Sequence, residues 1–291
     1  MLSAIIIAAA VVGGVGIVVG LMLGVAGEKF KIETDPKEEA LLEVLPGNNC
    51  GACGYPGCSG LAAAIAKGEA PTNACMVGGA FVAAEAAAIM GVAPAEFKHM
   101  VAFVKCDGNP QNAPRLYDYT GVQDCNVIKQ MQNGGPKSCR YGCMGCGNCV
   151  RVCEFDAIHI VNGVAVVDKE RCRACKKCIN TCPQHVIDLI PYDSTHSVKC
   201  NSHHKGKEQM QVCTVGCIGC RKCEKACPKG AITVTDFLAS IDHDKCVGCG
   251  ICARECPRHI IIGKAAPTPK KKPAAAAAKP AAAAEKAEVE A

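Results

Sequence analysis

Four runs of the chain repeat one spacing, C-x2-C-x2-C-x3-C. They are Cys143-Cys146-Cys149-Cys153, Cys172-Cys175-Cys178-Cys182, Cys217-Cys220-Cys223-Cys227 and Cys246-Cys249-Cys252-Cys256. Thiolates at this spacing hold iron. The first three cysteines of a run wrap one [4Fe–4S] cluster, and the fourth ligates the other cluster of a pair. Pro183, Pro228 and Pro257 follow the last cysteine in three runs; Glu154-Phe155 follows Cys153 instead. Proline helps to set the turn after the ligand. Its loss leaves ligation expected there, with a local change of exposure or potential. Iron in such a cage changes oxidation state by one electron with little rearrangement, so the chemistry implied is electron transfer.

The elements between the runs decide which pair. AIHIVNGVAVVDKER separates the first two and reads as strand, Asn162-Gly163 turn, strand. PKGAITVTDFLASIDHDK separates the last two and alternates apolar residues like a strand. Each pair therefore forms one α+β, ferredoxin-like domain of the bacterial two-cluster type. The expected ligand sets are Cys143, Cys146, Cys149 and Cys182; Cys172, Cys175, Cys178 and Cys153; Cys217, Cys220, Cys223 and Cys256; Cys246, Cys249, Cys252 and Cys227.

A fifth set lies upstream. Cys50, Cys53, Cys58 and Cys75 form C-x2-C-x4-C-x16-C, with Gly51, Gly54 and Gly57 beside the thiolates. Glycine lets a backbone fold tightly round a cluster and aim N–H groups at sulfur. The Ala-rich stretches LAAAIAKGEA and GGAFVAAEAAAIMG that follow read as helices, so a small helical [4Fe–4S] domain is expected. Taken alone, four thiolates also suit Zn²⁺, and a zinc-stabilised scaffold is the competing reading.

Five of the 25 cysteines remain: Cys106, Cys125, Cys139, Cys200 and Cys213. They are not scattered. Val104-Lys105-Cys106 mirrors Val198-Lys199-Cys200, and Cys139 and Cys213 each stand four residues before a run; Cys125 has no counterpart. Either four of these bind a sixth cluster, or they are packed thiols, or Cys139 replaces Cys146 in a shifted register. The pair His203-His204 reads as part of a solvated loop.

Composition agrees with a chain held together by metal. There is no Trp, and aromatic residues make up 4%. Disulfides are disfavoured by the odd cysteine count and by spacings too short to constrain the chain. The net charge of +5 suggests basicity. Five clusters at about −2 each reverse its sign, and no basic–aromatic patch is present, so nucleic acid is not expected as a partner.

Ser3 to Gly27 is uncharged and long enough for a membrane helix. Nothing basic precedes it, unlike a signal peptide. Lys29, Lys31 and Lys37 follow, which places the bulk of a single-pass protein on the cytoplasmic side of the cytoplasmic membrane. Gly16, Gly20 and Gly24 share one helix face on which another membrane helix could pack. The expected layout is 1–27 transmembrane anchor, 28–95 N-terminal cluster domain, 96–138 cysteine-containing spacer, 139–191 first ferredoxin-like domain, 192–212 spacer, 213–263 second ferredoxin-like domain and 264–291 a disordered Ala/Lys/Pro-rich tail.

This order of parts resembles the B component of the Rnf complex. The anchor, NNCGACGYPGC, the VKC and DC spacer and the ferredoxin repeats carry the likeness over residues 1–263. The resemblance implies one component of a membrane oxidoreductase that accepts electrons from reduced soluble ferredoxin. Its Cys50–Cys75 module would pass them to other membrane and peripheral subunits, for reduction of NAD⁺ or another carrier with Na⁺ or H⁺ pumping. A membrane-tethered polyferredoxin feeding a non-pumping reductase is the alternative. This chain carries no nucleotide loop and no catalytic residue of its own.

Overall fold

The computed structural model describes residues 2–29 and 35–267. In chain order its helices are α1 Leu2–Lys29, α2 Pro36–Val44, α3 Gly57–Ala66, α4 Gly79–Met90, α5 Cys125–Lys129, α6 Asn148–Arg151, α7 Lys177–Thr181, α8 Gly206–Val212, α9 Lys222–Ala226 and α10 Ile251–Glu255. The strands are β1 Met100–Val104, β2 Ile158–Val161, β3 Val164–Val167, β4 Ile187–Pro191, β5 Ser197–Val198, β6 Ile232–Thr235, β7 Leu238–Ile241 and β8 Ile261–Ile262. Two compact units result. Unit 1 comprises Met1–Val104, Gly145–Val161 and Ala165–Tyr192; unit 2 comprises Lys105–Met144, Asn162–Val164 and Asp193–Ala291.

In unit 1, α2 to α4 make the N-terminal helical module. In sequence α2 falls in the charged stretch TDPKEEA, yet its start signals are all present. Asp35 caps the helix by accepting from the Lys37 N–H at 2.9 Å, Pro36 opens it, and Glu38 and Glu39 favour the positive end of the helix dipole. The two Ala-rich stretches form α3 and α4 as expected, and α4 ends on Gly91 at φ +69°. Leu41, Leu61, Ala62 and Ile65 are almost wholly buried and pack with Cys75. The ligand loop therefore closes over an apolar core.

Both repeats build the same pair of small sheets. Strands β2 and β3 pair with each other, turning on Asn162 and Gly163, both with positive φ. Antiparallel β6 and β7 correspond to them, turning on Asp236 and Phe237. The second sheet of each repeat uses residues that the expected layout assigns to spacers. Antiparallel β1 runs against β4 with Val104 opposite Ile187, and antiparallel β5 against β8 with Val198 opposite Ile261. So 96–138 and 192–212 are not plain linkers: each supplies a strand just before the VKC cysteine. The run MVAFV is short, apolar and continuous, the form of a buried strand.

The helix α1 is 28 residues long, and its described side chains are mostly exposed, among them Ile17, Leu21 and Leu23. Side chains are described without interruption only over 12–27, and among the described residues no helix is long and apolar enough to cross a membrane. The expected anchor thus has its helical backbone, Leu2–Lys29, without the span itself being established. Lys31 and the tail from 268 onward lie outside the described residues.

Leu61→Ala should destabilise the helical module by about 2–5 kcal/mol, the usual range for emptying a buried leucine site. A lowered thermal midpoint for the loss of visible absorbance from the holo-protein would register it.

Candidate metal centres

Each ferredoxin run carries the same backbone irregularity at the same places. The residue before the second cysteine is left-handed in all four runs: Gly145, Ala174, Gly219 and Gly248. So is the residue after it: Gly147, Lys176, Arg221 and Gly250, each capping the short helix that follows. A non-glycine residue pays roughly 1–2 kcal/mol for this conformation, so Ala174, Lys176 and Arg221 are held there by their surroundings. The third residue after the last cysteine is left-handed as well: Asp156, His185, Gly230 and His259. The first run keeps this conformation at Asp156 even though Glu154-Phe155 replaces the proline-led turn.

These turns bring cysteines together around open cavities. Cys172, Cys175, Cys178 and Cys153 line one; Cys217, Cys220, Cys223 and Cys256 a second; Cys246, Cys249, Cys252 and Cys227 a third. The space within the cavities and at their open mouths is about 320–350 Å³ in each. Backbone N–H groups reach the sulfurs: Ala102 to Cys172 at 3.3 Å, Ala157 to Cys153 at 3.4 Å and Ala231 to Cys227 at 3.3 Å. The last two are equivalent positions in the repeats. In the N-terminal module Cys75 senses the charges of Cys58, Cys53 and Cys50, and the Gly78 N–H donates to its sulfur at 3.4 Å. Asn49 Oδ1 accepts the Cys58 N–H at 2.8 Å and fixes the loop. A Cβ on Gly57 would sit 2.8 Å from that oxygen, so only glycine fits there. For the remaining set, Cys143 belongs to unit 2 and Cys146, Cys149 and Cys182 to unit 1.

One further cavity appears where the sequence leaves a question. Cys106, Cys139, Cys200 and Cys213 line about 310 Å³ of open space, and Cys125 does not. Its polar contacts repeat with the duplication. Cys106 Sγ accepts from the Gly108 and Cys143 N–H groups at 3.4 and 3.3 Å. Cys200 Sγ accepts from Ser202 and Cys217 at 3.4 and 3.3 Å. Tyr141 and Val215 donate likewise to Cys139 and Cys213. A Cβ on Gly108 would lie 3.6 Å from Cys106 Sγ and 3.8 Å from Cys213 Sγ, so the backbone forms a cradle there. Cys125 instead opens α5, capped by Asp124. His204 departs from the solvated loop expected of it: it is buried, pairs with Glu208 at 2.6 Å and meets the Tyr141 ring edge-on.

Among the described residues no group of three or more His, Cys, Asp or Glu converges to hold a single metal ion. The thiols stand back round a space, with N–H groups aimed at sulfur. That arrangement fits a multi-iron cluster, whose charge such donors stabilise. Burial raises the pKa of the most enclosed thiols, and that of Cys178, Cys200 and Cys223 to about 12. At Cys178 neighbouring cysteine charges add to the rise; at Cys200 the Cys217 and Ser202 N–H groups oppose it.

Cysteine-ringed cavities strung on repeated C-x2-C-x2-C-x3-C turns define an iron–sulfur protein of the ferredoxin class. The comparisons agree. The family model for an Fe-S cluster matches residues 45–77, and that for a 4Fe-4S dicluster domain matches 142–186, 171–231 and 216–260. The B component of the ion-translocating oxidoreductase complex of Methanosarcina acetivorans is 44% identical over 84% of this chain and 93% of its own length. The B component of the Na(+)-translocating ferredoxin:NAD(+) oxidoreductase complex of Acetobacterium woodii is 43% identical over 84% of this chain and 74% of its own. The corresponding component of the proton-translocating ferredoxin:NAD(+) oxidoreductase complex of Clostridium ljungdahlii is 36% identical over 78% and 81%. The chain belongs to the family of B components of ion-translocating oxidoreductase (Rnf) complexes.

The thiol shifts fix a pH dependence. A buried thiol holds its proton more tightly, and iron must displace that proton, so acid favours release. Chelator-driven bleaching of the holo-protein should accelerate as pH falls from about 8 to about 6. The cluster-free fold behaves oppositely. Unfolded thiols ionise from 9.0 while the most buried folded ones wait until about 12, so stability present below 9.0 is lost as pH rises towards 12. Alkaline titration of cluster-free chain by circular dichroism checks the second half.

Proposed function

We propose that this chain is the electron-input relay of a membrane redox-driven cation pump: it takes single electrons from reduced ferredoxin and delivers them through its N-terminal module to partner subunits. One observation supports the path of the route within unit 1. Within unit 1 the Cys172-Cys175-Cys178-Cys153 cavity adjoins the Cys50–Cys75 module: Cys175 senses the charge of Cys50, and Lys176 Nζ donates to the Ala52 carbonyl at 3.2 Å. A cluster in each leaves two centres side by side at the end of the chain that carries α1. The names of the Acetobacterium and Clostridium relatives, which specify ferredoxin and NAD(+), support the donor and the acceptor.

The anchoring is part of this reading. The helix α1, with Lys29 at its end and Lys37 after it, is proposed to cross the cytoplasmic membrane once, leaving the cluster domains on the cytoplasmic side. Gly16, Gly20 and Gly24 have open space where a Cβ would stand, which suits close approach by a partner's helix. The domain layout drawn from the sequence is retained, with the two spacers each lending a strand to the ferredoxin-like domain that follows.

The ligand assignment has six centres. The five sets read from the spacing hold five clusters, and Cys106, Cys139, Cys200 and Cys213 hold a sixth, linking the two copies of the duplicated pre-motif segment. The ring of four thiols with its repeated N–H donors supports the last assignment.

Two measurements test these statements. Anaerobically prepared chain should contain about 24 iron atoms, and Cys106→Ser/Cys200→Ser should lose about four of them while Cys125→Ser loses none; about 20 in the parent chain would refute the sixth centre. In the assembled complex, Cys75→Ser should leave the ferredoxin-domain clusters reducible by ferredoxin but drop acceptor reduction to background. Undiminished acceptor reduction would refute the route, and a parent chain that reduces a soluble acceptor without partner subunits would point to a non-pumping relay.

A further inference from the structure

Beside the Cys106-Cys139-Cys200-Cys213 cavity lies a polar side chain with no partner. Gln209, on α8, is 0% exposed, and neither its Nε2 nor its Oε1 makes a hydrogen bond within the protein. It lines the cavity. Desolvating an amide without satisfying it is costly, so such a group points to a ligand in the cavity that meets its N–H₂ end. The backbone holds it in place: the Gln209 N–H donates to the Lys205 carbonyl at 2.8 Å, and the Gln209 carbonyl accepts the N–H of Cys213 at 3.0 Å. Space is reserved for the amide. A Cβ on Gly216 would fall 1.7 Å from Gln209 Nε2, so any larger residue there would displace the amide. The first repeat solves the same place differently: a Cβ on Gly142, the counterpart of Gly216, would face the Lys137 side chain at 3.5 Å, and Lys137 donates to the Cys143 carbonyl.

We infer that Gln209 is a positioning and tuning residue of the sixth centre, its Nε2 donating a hydrogen bond to cluster or thiolate sulfur and raising the centre's reduction potential. The inference rests on the six-centre reading above. Sulfur in a cluster only accepts, so the amide must present its N–H₂ to the cavity. Reduction adds one electron and no proton. The added negative charge spreads over the sulfurs, and a donor aimed at them stabilises the reduced form more than the oxidised one. The flanking cations Lys137 and Lys199, which also line the cavity, act in the same direction, Lys199 being partly offset by Asp107 at 3.2 Å.

The test is an EPR-monitored redox titration of the anaerobically prepared full chain with dithionite, together with iron analysis. Cys106→Ser/Cys200→Ser identifies the signal of this centre by difference. Gln209→Leu should retain about 24 iron atoms and lower the midpoint of that one signal, leaving the other centres in place. Gln209→Glu, which exchanges the donor for an anion, should lower it further. An unchanged midpoint in both variants with iron retained overturns the inference while sparing the six-centre reading. Loss of about four iron atoms in both also overturns it, since a tuning donor is not needed for ligation. A parent chain with about 20 iron atoms instead removes the reading on which it rests.

Discussion

Near neutral pH a thiol as buried as these ionises only when a metal takes the place of its proton, and this constraint governs the cysteine-lined core of the protein. Burial, more than any other cause, puts the pKa of Cys178, Cys200 and Cys223 at about 12. Without iron, the interior of each ferredoxin-like repeat is a set of neutral thiols round a space. With iron, the same thiols become the centre of the fold. The core of the second repeat makes the point: Val198, Ile232, Val234, Ile260 and Ile261 pack with Cys200, Cys217, Cys223, Cys252 and Cys256 in one cluster of buried residues. A chain with no Trp and few aromatic residues cannot rely on large side chains to fill its interior. Iron and sulfide would fill that space, which couples the stability of the fold to cofactor assembly.

Duplication extends the constraint to longer range. Each repeat brings a strand, a VKC cysteine, a second cysteine four residues before the run and then the run itself. In unit 2, the two copies of the pre-motif segment face one cavity, and the N–H donors to Cys106 and Cys200 come from equivalent places, including the first cysteines of the runs, Cys143 and Cys217. A cluster there, as proposed, would tie the segment before the first ferredoxin domain to the segment before the second. Ligands separated by about a hundred residues gain more from such a tie than ligands in one loop, because it closes a longer loop of the unfolded chain.

Much of the site was legible because cluster ligation is local. Three cysteines two residues apart need only short-range turns, and the same left-handed positions recur in every run, whether glycine or Lys176 or Arg221 occupies them. The hairpin at Asn162-Gly163 was legible for the same reason. Spacer strands β1 and β5 were harder, since each gains its identity from a partner near the far end of its repeat. The burial of His204 was also hidden: the ring is covered by Tyr141, far earlier in the chain, and nothing in the NSHHK stretch announces it.

The amino-acid order by itself determined the iron–sulfur chemistry and the presence of a duplicated pre-motif segment, because ligand spacing and repeats are local properties of the chain. The tertiary structure decided which four of the five remaining cysteines meet. It also decided that the N-terminal module adjoins Cys175 and that Gln209 is buried without a partner. Those features depend on segments far apart in sequence, and no local pattern of residue types encodes where such segments come to rest.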